Sequence, residues 1–306
     1  MNGFVGPHLL AALTARGDEV HGLGLGDPTP GVPAPASWRS GDILDAAALG
    51  DAVAAVRPSH VVHLAGQASA ALSYQKPVDT YRVNAIGTWT LLDAVRRHAP
   101  QARVLVVGSG EVYGPQPEGS RVAERAPFRP VSPYALSKAA ADALSEAFAR
   151  RHGLAVVRTR SFGHTGPGQS PVFAIPSFAR QIAEIEAGGR EPTLRVGNLD
   201  VTRDLSDVRD VVAAYLALLD RGRPGRAYNV CRGEGRRLAD VVASMVGRSR
   251  VPIAIEKDPA RMRPADLPWL VGDPGAILAD TGWQPAIALE QTLDDVLAEW
   301  RRSPAR

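Results

Sequence analysis

Two side chains four positions apart, Tyr134 and Lys138, are of types that can together move a proton at neutral pH. A phenol with an ordinary pKa near ~10 is a poor acid–base catalyst there. A neighbouring ammonium stabilises the phenolate and brings proton exchange with a carbonyl or alcohol oxygen within reach. The spacing in Tyr134-Ala135-Leu136-Ser137-Lys138 puts both groups on one face of a helix. Lysine suits the task better than arginine because its charge is a compact point. It is also scarce here, since Lys76, Lys138 and Lys257 are the only lysines. By spacing alone the pair is common on helix surfaces, and its surroundings carry the weight. Upstream, the apolar run Val104–Val107 ends in Gly108-Ser109-Gly110-Glu111-Val112-Tyr113-Gly114. Open α/β sheets bind ligands just past the carboxyl ends of their strands, so Ser109 is placed to address the same oxygen as Tyr134. A turn serine is the plainer alternative. Gly3-Phe4-Val5-Gly6 before a helix is half of a phosphate-cradling turn, or simply a turn.

The elements that must position these groups alternate helix and strand. Helical spacing is expected over about 4–15, 45–56, 77–97 and 133–152. Strands are expected over about 19–23, 61–65, 104–107 and 155–158, and the Gly/Pro-rich stretch 24–38 reads as a loop. Apolar strands separated by helices predict an α/β fold with a doubly wound parallel sheet covered on both faces. After Phe162 the pattern changes to helices at about 176–188, 207–221, 237–246 and 288–301 among irregular segments, a smaller mixed α/β lobe. Tyr228-Asn229-Val230 reads as a strand returning to the main sheet. The expected division is 1–163 for the sheet domain and 164–306 mainly for the second lobe, with about 205–230 returning to the first. A dinucleotide-binding unit opens with a strand before its Gly-rich turn, and here the chain opens at Met1-Asn2-Gly3. The expectation is that this first strand lies upstream of Met1.

Composition narrows the function classes. The 306 residues are 45% apolar and 22% charged with a net charge of +3, a globular balance. Basic residues are scattered apart from pairs such as Arg236–Arg237 and Arg301–Arg302, which disfavours nucleic acid and favours a small anionic ligand. No apolar run spans a bilayer and no leader is signalled, so no membrane is expected and the chain reads as cytoplasmic. A single cysteine, Cys231, excludes an internal disulfide framework and a multi-cysteine metal site; no metal is expected.

Together, Ser109, Tyr134 and Lys138, the Gly-rich start, His63-Leu64-Ala65-Gly66-Gln67, Asn84 and Gly41-Asp42-Ile43 resemble the extended short-chain dehydrogenases, which have a Rossmann-type sheet. The resemblance covers essentially the whole chain. Arg160-Ser161-Phe162-Gly163-His164-Thr165-Gly166-Pro167, Gly197-Asn198-Leu199-Asp200, Arg203-Asp204-Leu205-Ser206-Asp207, the segment Asp258–Asp266 and Thr281-Gly282-Trp283-Gln284-Pro285 narrow it. These are similar to GDP-4-keto-6-deoxymannose reductases, with GDP-mannose 4,6-dehydratases next. The resemblance implies that Gly3, Phe4, Val5 and Gly6 face the pyrophosphate of NAD(P)H, and Asp42 and Ile43 its adenine. Leu64, Ala65, Gly66 and Gln67 would line the middle of the cofactor, Lys138 would hold the nicotinamide ribose, and His164 would lie near. Asn84 would support the proton path. Arg203 and Arg263 would pair with the sugar-nucleotide diphosphate, and Asp266 would accept from the nucleotide ribose. The family has asparagine where Gly163 stands, a substrate-contacting amide that this chain lacks. It also implies a homodimer joined through a four-helix bundle of the helices at 77–97 and 133–152.

The resulting expectation is NAD(P)H-dependent reduction of a GDP-linked 4-keto-6-deoxyhexose. Tyr134 would protonate the new alkoxide, Lys138 would depress the Tyr134 pKa, and Ser109 would orient the carbonyl. A 4,6-dehydratase is the alternative, with Glu111 as the additional acid–base group. A non-catalytic nucleotide-sugar-binding homologue is a third reading, supported by Gly163 and the abbreviated start. The segment Leu23-Gly24-Leu25-Gly26-Asp27 offers neither an arginine for NADP nor an early acid for NAD, and NADP is taken slightly ahead.

Overall fold

A computed structural model describes residues 3–28, 34–262 and 267–302. The first half runs α1 (Val5–Arg16), β1 (His21–Gly24), β2 (Ser37–Ser40), α2 (Ala46–Val56), β3 (His60–His63), α3 (Ala70–Gln75) and α4 (Pro77–Tyr81). A π-helical turn, Arg82–Ile86, leads into α5 (Gly87–His98) and β4 (Arg103–Ser109). A 3-10 turn, Gly110–Tyr113, follows, then α6 (Pro133–His152) and β5 (Ala155–Ser161). The second half runs β6 (Gly163–Thr165), α7 (Ala174–Glu186), β7 (Thr193–Val196), β8 (Thr202–Asp207), α8 (Val208–Arg221), β9 (Ala227–Val230) and β10 (Gly235–Arg237). It closes with α9 (Leu238–Val246), β11 (Ala254–Lys257), β12 (Trp269–Leu270), α10 (Gly275–Thr281) and α11 (Leu289–Arg302).

The main sheet has the order β3-β4-β5-β9, all parallel. Its central strands read Val104-Leu105-Val106 and Val156-Val157, all buried, because helices cover both faces. One face packs Val104, Val106 and Val156 against Leu49 and Val53 of α2, Leu92 and Val95 of α5 and Phe148 of α6. The other packs Leu105 and Val157 against Val211, Tyr215 and Leu218 of α8 and Ile277 of α10. The fold is therefore α/β with parallel strands, as the alternating pattern predicts. β9 pairs with β5 from Arg158↔Ala227 to Ser161↔Val230, so the Tyr228 strand returns to the main sheet.

Three local expectations change. Ser37 and Trp38, placed at the end of the Gly/Pro-rich loop 24–38, begin the strand Ser37–Ser40, which pairs in parallel with β1. The single helix expected over 77–97 is α4, a π turn and α5 in succession, preceded by the short α3. The shift in hydrogen bonding falls at Asn84, where a buried amide bonds sideways instead of facing solvent. The second lobe contains short strands that periodicity did not predict. β8 lies between β10 and β12, with β6 also paired to it, because three or four residues are too few to show alternation.

Among the described residues β1 and β2 form their own parallel pair, with no ladder joining them to β3. Leu23 of β1 and Val61 of β3 nonetheless pack on the same apolar cluster. Val61 and Val62 point to opposite faces and both remain partly exposed, unlike the corresponding pair Val104 and Leu105 of β4. The second lobe has its own core, built from Phe178 and Ile182 of α7, Val242 and Met245 of α9, and Leu293, Val296 and Leu297 of α11 over Leu194 and Val196.

Candidate active site

Strands β3, β4 and β5 run parallel, so their carboxyl ends lie along one edge of the sheet, where Leu64, Ser109 and Gly163 follow or end them. Helix α6 begins beside that edge. Ser132 caps it by accepting from Ala135 N at 3.0 Å, and Pro133 at the first helical position supplies a preset φ. Tyr134 therefore sits in the first turn and Lys138 in the second, both on the face turned to the sheet. Tyr134 is 9% exposed. Lys138 is half-buried, and its Nζ donates to Val107 O of β4 at 3.0 Å.

Ser109 ends β4 and caps the 3-10 turn, accepting from Glu111 N at 3.2 Å. The Ser109 hydroxyl lies near enough to the Tyr134 phenol to lower its pKa, so the structure brings the two together. Glu111 stands close enough for its charge to act on the same phenol. Burial first, and then Glu111, push Tyr134 above its ordinary value, against the lowering effect of Ser109. In the protein alone the phenol is thus a firmly held acid. Burial pushes Lys138 down to about 8, and its ammonium is engaged by a strand carbonyl, not by the phenol. The expected depression of Tyr134 by Lys138 is not present in this state.

The loop after β3 is drawn against α6 by Asn84. Its Oδ1 accepts from Gln67 N at 2.8 Å, while Nδ2 donates to Gln67 O at 3.0 Å and to Ser137 Oγ at 2.9 Å. Asn84 is thus a clamp between that loop and the helix bearing Tyr134. The Gln67 side chain turns into its own loop, donating to Ser69 O and Thr80 Oγ1. Gly66 passes so near that a Cβ would lie 2.9 Å from Asn84 Oδ1 and 3.4 Å from Lys138 Nζ. Ala65 and Gly66 are exposed, and Leu64 packs against the core on the α8 side.

Gly3 and Phe4 lead into α1, whose first turn has no side-chain cap. Gly6 is buried and Val5 packs on the core beneath. The Phe4 ring stacks on His164 at 5.9 Å and meets His8 edge-on at 5.8 Å; His8 reaches Pro167 O at 2.9 Å. Residues 160 positions apart are so joined at one place, and burial holds His164 below its ordinary value. Asp42 is exposed with Oδ1 accepting from Leu44 N, whereas the Ile43 side chain is spent in the core, against Gly87. Of that expected adenine pair, Asp42 presents a side chain to the rim and Ile43 does not.

In the second lobe Gly163 is paired with Leu205 of β8, and a Cβ there would lie 2.7 Å from Asp204 O. The close strand approach explains the glycine: an asparagine would force β6 away from β8. Arg203 is part-buried on β8, donating to Thr202 O at 3.0 Å and to Leu267 O, just after segment 263–266. Arg263 and Asp266 lie outside the described residues.

Sequence reasoning missed two buried neighbours. Tyr215 of α8 bonds Ser161 Oγ at 2.8 Å, is pushed up to about 12 by burial, and further raises Tyr134. His63, held by Thr88 at 2.9 Å, is pushed down to about 3 by burial and by Lys138. Only its place in His63-Leu64-Ala65-Gly66-Gln67 hinted at the latter. Among the described residues no group of three His, Cys, Asp or Glu side chains is placed to hold a metal ion.

A nicotinamide nucleotide fits what is present. An ammonium has three donors and Val107 O takes one, while the lack of a side chain at Gly66 keeps the loop from covering Lys138 Nζ, which a Cβ there would approach to 3.4 Å.

The sequence matches the family model described as GDP-mannose 4,6 dehydratase over residues 1–296. It is 37% identical over 301 residues to the GDP-6-deoxy-D-mannose reductase of Pseudomonas aeruginosa, covering 98% of this chain and 95% of that one. A GDP-mannose 4,6-dehydratase of Vibrio cholerae is 30% identical over 289 residues, 84% and 77% of the two chains. Among solved structures, RMD from Pseudomonas aeruginosa complexed with NADPH superposes with a TM-score of 0.84 at 34% identity, covering 98% and 96%. The Thermus thermophilus UDP-glucose 4-epimerase complex with NAD superposes with a TM-score of 0.88 at 31% identity, covering 99% and 97%.

Proposed function

The chain belongs to the GDP-mannose 4,6-dehydratase family, and from that premise we propose that it is an NAD(P)H-dependent oxidoreductase reducing a GDP-linked 4-keto-6-deoxyhexose at C4. What supports this reading most is the buried Ser109–Tyr134 hydroxyl pair at the end of β4, with Lys138 one turn along. NADPH or NADH, when bound, supplies the hydride. Tyr134 gives its proton to the C4 oxygen as charge develops there, and the product is the alcohol. Burial and Glu111 keep that phenol protonated at neutral pH until a base as strong as an alkoxide faces it. Ser109 holds the carbonyl oxygen against the phenol. Lys138, at about 8, is largely cationic at pH 7 and stabilises the phenolate left behind.

For binding, the proposal sets Gly3, Phe4, Val5 and Gly6 against the cofactor pyrophosphate and Asp42, with the Ile43 backbone, against adenine. Leu64 to Gln67, Asn84, Lys138 and His164 surround its middle, and Arg203, Arg263 and Asp266 take the sugar nucleotide. Residues 1–163 then serve the cofactor and 164–306 mainly the substrate, with about 205–230 belonging to the first part. NADP is favoured over NAD because β1 ends in Gly24 without an acid, and its neighbour β2 offers the exposed Arg39, paired with Leu23.

A homodimer is proposed through α5 and α6. Trp89 and Leu136 are about half exposed there, and a 450 Å³ groove runs between Trp89, Arg96, Phe148 and His152. Trp89→Glu should give a monomer by light scattering, and a parent that is already monomeric overturns this part. No helix among the described residues is long and apolar enough to cross a membrane, and the proposed place of work is the cytoplasm.

Purified protein should oxidise NADPH stoichiometrically with a GDP-4-keto-6-deoxyhexose, and Tyr134→Phe should abolish this. The nearness of Glu111 to Tyr134 favours one rival, a 4,6-dehydratase, which would convert GDP-mannose without consuming added cofactor.

A further inference from the structure

Strand β5 runs through the middle of the sheet, yet it carries two arginines, Arg158 and Arg160, each 6% exposed. Two residues apart, both point to the face that α6 covers. A guanidinium cannot shed its charge, so burial there demands a full set of acceptors.

Arg160 has such a set. Its Nε donates to Asp142 Oδ2 at 2.9 Å, and Nη2 to Asp142 Oδ1 at 3.3 Å. Its Nη1 donates to Tyr113 Oη at 2.9 Å and to Glu124 O at 2.7 Å. The Phe128 ring lies 4.6 Å from the guanidinium carbon. Tyr113, wholly buried, passes the chain on by donating to Asn229 Oδ1 of β9 at 2.7 Å. Asn229 donates in turn to Val122 O at 2.8 Å, and its backbone N–H to Glu124 Oε1 at 2.8 Å. Asp142 also accepts from Arg158 Nη1 at 2.5 Å.

The two ends of this linkage are informative. Asp142 lies four residues after Lys138 and eight after Tyr134, on the same face of one helix. Tyr113 is the last residue of the 3-10 turn that Ser109 caps and that contains Glu111. That turn rests on the Phe162 ring, where a Cβ on Gly110 would come within 2.9 Å. One buried guanidinium thus joins the helix carrying Tyr134 to the turn capped by Ser109.

We propose that Arg160, held between Tyr113 and Asp142, is a positioning residue that sets the separation of the Ser109 and Tyr134 hydroxyls and thereby turnover. It touches neither substrate nor cofactor. The inference rests on the catalytic reading above for its kinetic consequence, and on geometry alone for the separation itself. Misplacing a reacting group by about 1 Å can lower rates ~10²-fold while leaving binding intact.

The test uses the whole chain. Tyr113→Phe removes one hydroxyl with little change of shape, and Arg160→Lys keeps the charge but loses the fork. Tyr228→Phe is the control: an equally buried tyrosine of β9 whose hydroxyl bonds Arg223 N and Asp280 and neither Arg160, Tyr113 nor Asp142. Turnover, KM for both substrates and thermal midpoint are measured well below the midpoint. The ¹³Cζ resonance of Tyr134, assigned by its loss in Tyr134→Phe, is followed in parallel. Expected for Tyr113→Phe and Arg160→Lys are a kcat about tenfold lower or less, each KM within twofold, and a shifted Tyr134 resonance. Tyr228→Phe should lose thermal stability only. Parent-like kcat and resonance in both test variants overturn the proposal, as does an equal loss of turnover in the control. If the parent reduces no keto sugar the catalytic reading falls, and the resonance comparison alone decides this inference.

Discussion

Replacing Lys138 by methionine should make the protein more stable and inactive at once. Burial lowers the Lys138 ammonium from 10.5 to about 8. Each unit is worth ~1.4 kcal/mol, so keeping the charge in the folded state opposes folding by an upper bound of ~3 kcal/mol at pH 7. Because the side chain is only half-buried, solvent screening reduces this. Losing the donor to Val107 O removes a further ~1 kcal/mol of stabilisation. Methionine keeps the apolar stem, and a net gain of about 1 kcal/mol remains. The sign fixes the pH window. A base whose folded pKa is depressed opposes folding fully below that value and not at all above its unfolded value. The advantage of Lys138→Met is therefore constant below pH 8, shrinks as pH rises, and near pH 10.5 reverses to favour the parent by up to ~1 kcal/mol, the lost bond to Val107 O. Urea titrations followed by tryptophan fluorescence at pH 7, 9 and 10.5 measure it directly. Turnover of the keto sugar should fall ~10²-fold or more in the same preparation. A parent more stable than the variant at pH 7, or a difference unchanged between pH 7 and 10.5, refutes the reasoning.

Gly66→Ala should weaken NADPH binding about tenfold, ~1.4 kcal/mol, read from nucleotide fluorescence, since its Cβ displaces Asn84 Oδ1 and crowds Lys138 Nζ. Gly163→Ala should destabilise by ~1–3 kcal/mol through contact with Asp204 O, seen as a lower thermal midpoint. An unchanged midpoint would show that β6 and β8 separate freely. Asp142→Ala leaves Arg158 and Arg160 buried without their shared carboxylate and should remove ~3–5 kcal/mol in urea titration. His63, pushed down to about 3 by burial and Lys138, should show a neutral imidazole by NMR down to pH 4. Its contribution to stability is complete above pH 6.5 and is lost progressively as pH falls toward 3.

Much of the fold and the nature of the chemistry were legible in the sequence. The run Pro133–His152 carries its own start in Ser132-Pro133 and its own stop in Gly153, whose left-handed φ of 67° ends the helix, so α6 was placed to the residue. Tyr134 and Lys138 share a face for the same local reason. Val104–Val107 and Val156-Val157 are apolar because a strand covered on both faces admits little else. What local pattern does not carry is which distant groups meet. β2 lies hidden among glycines and prolines because its pairing with β1, not its composition, makes it a strand. Gly163 reads as a departure from the family until Asp204 O is found where its Cβ would be. The protonation of Tyr134 depends on burial and on Glu111, Ser109 and Tyr215, which come from two separate parts of the chain. Residue types and short periodicities are properties of neighbours along the chain, and these the sequence determined. Burial, charge proximity and strand spacing depend on segments as much as 204 residues apart, and only the packed sheet, with helices closing both its faces, decided those.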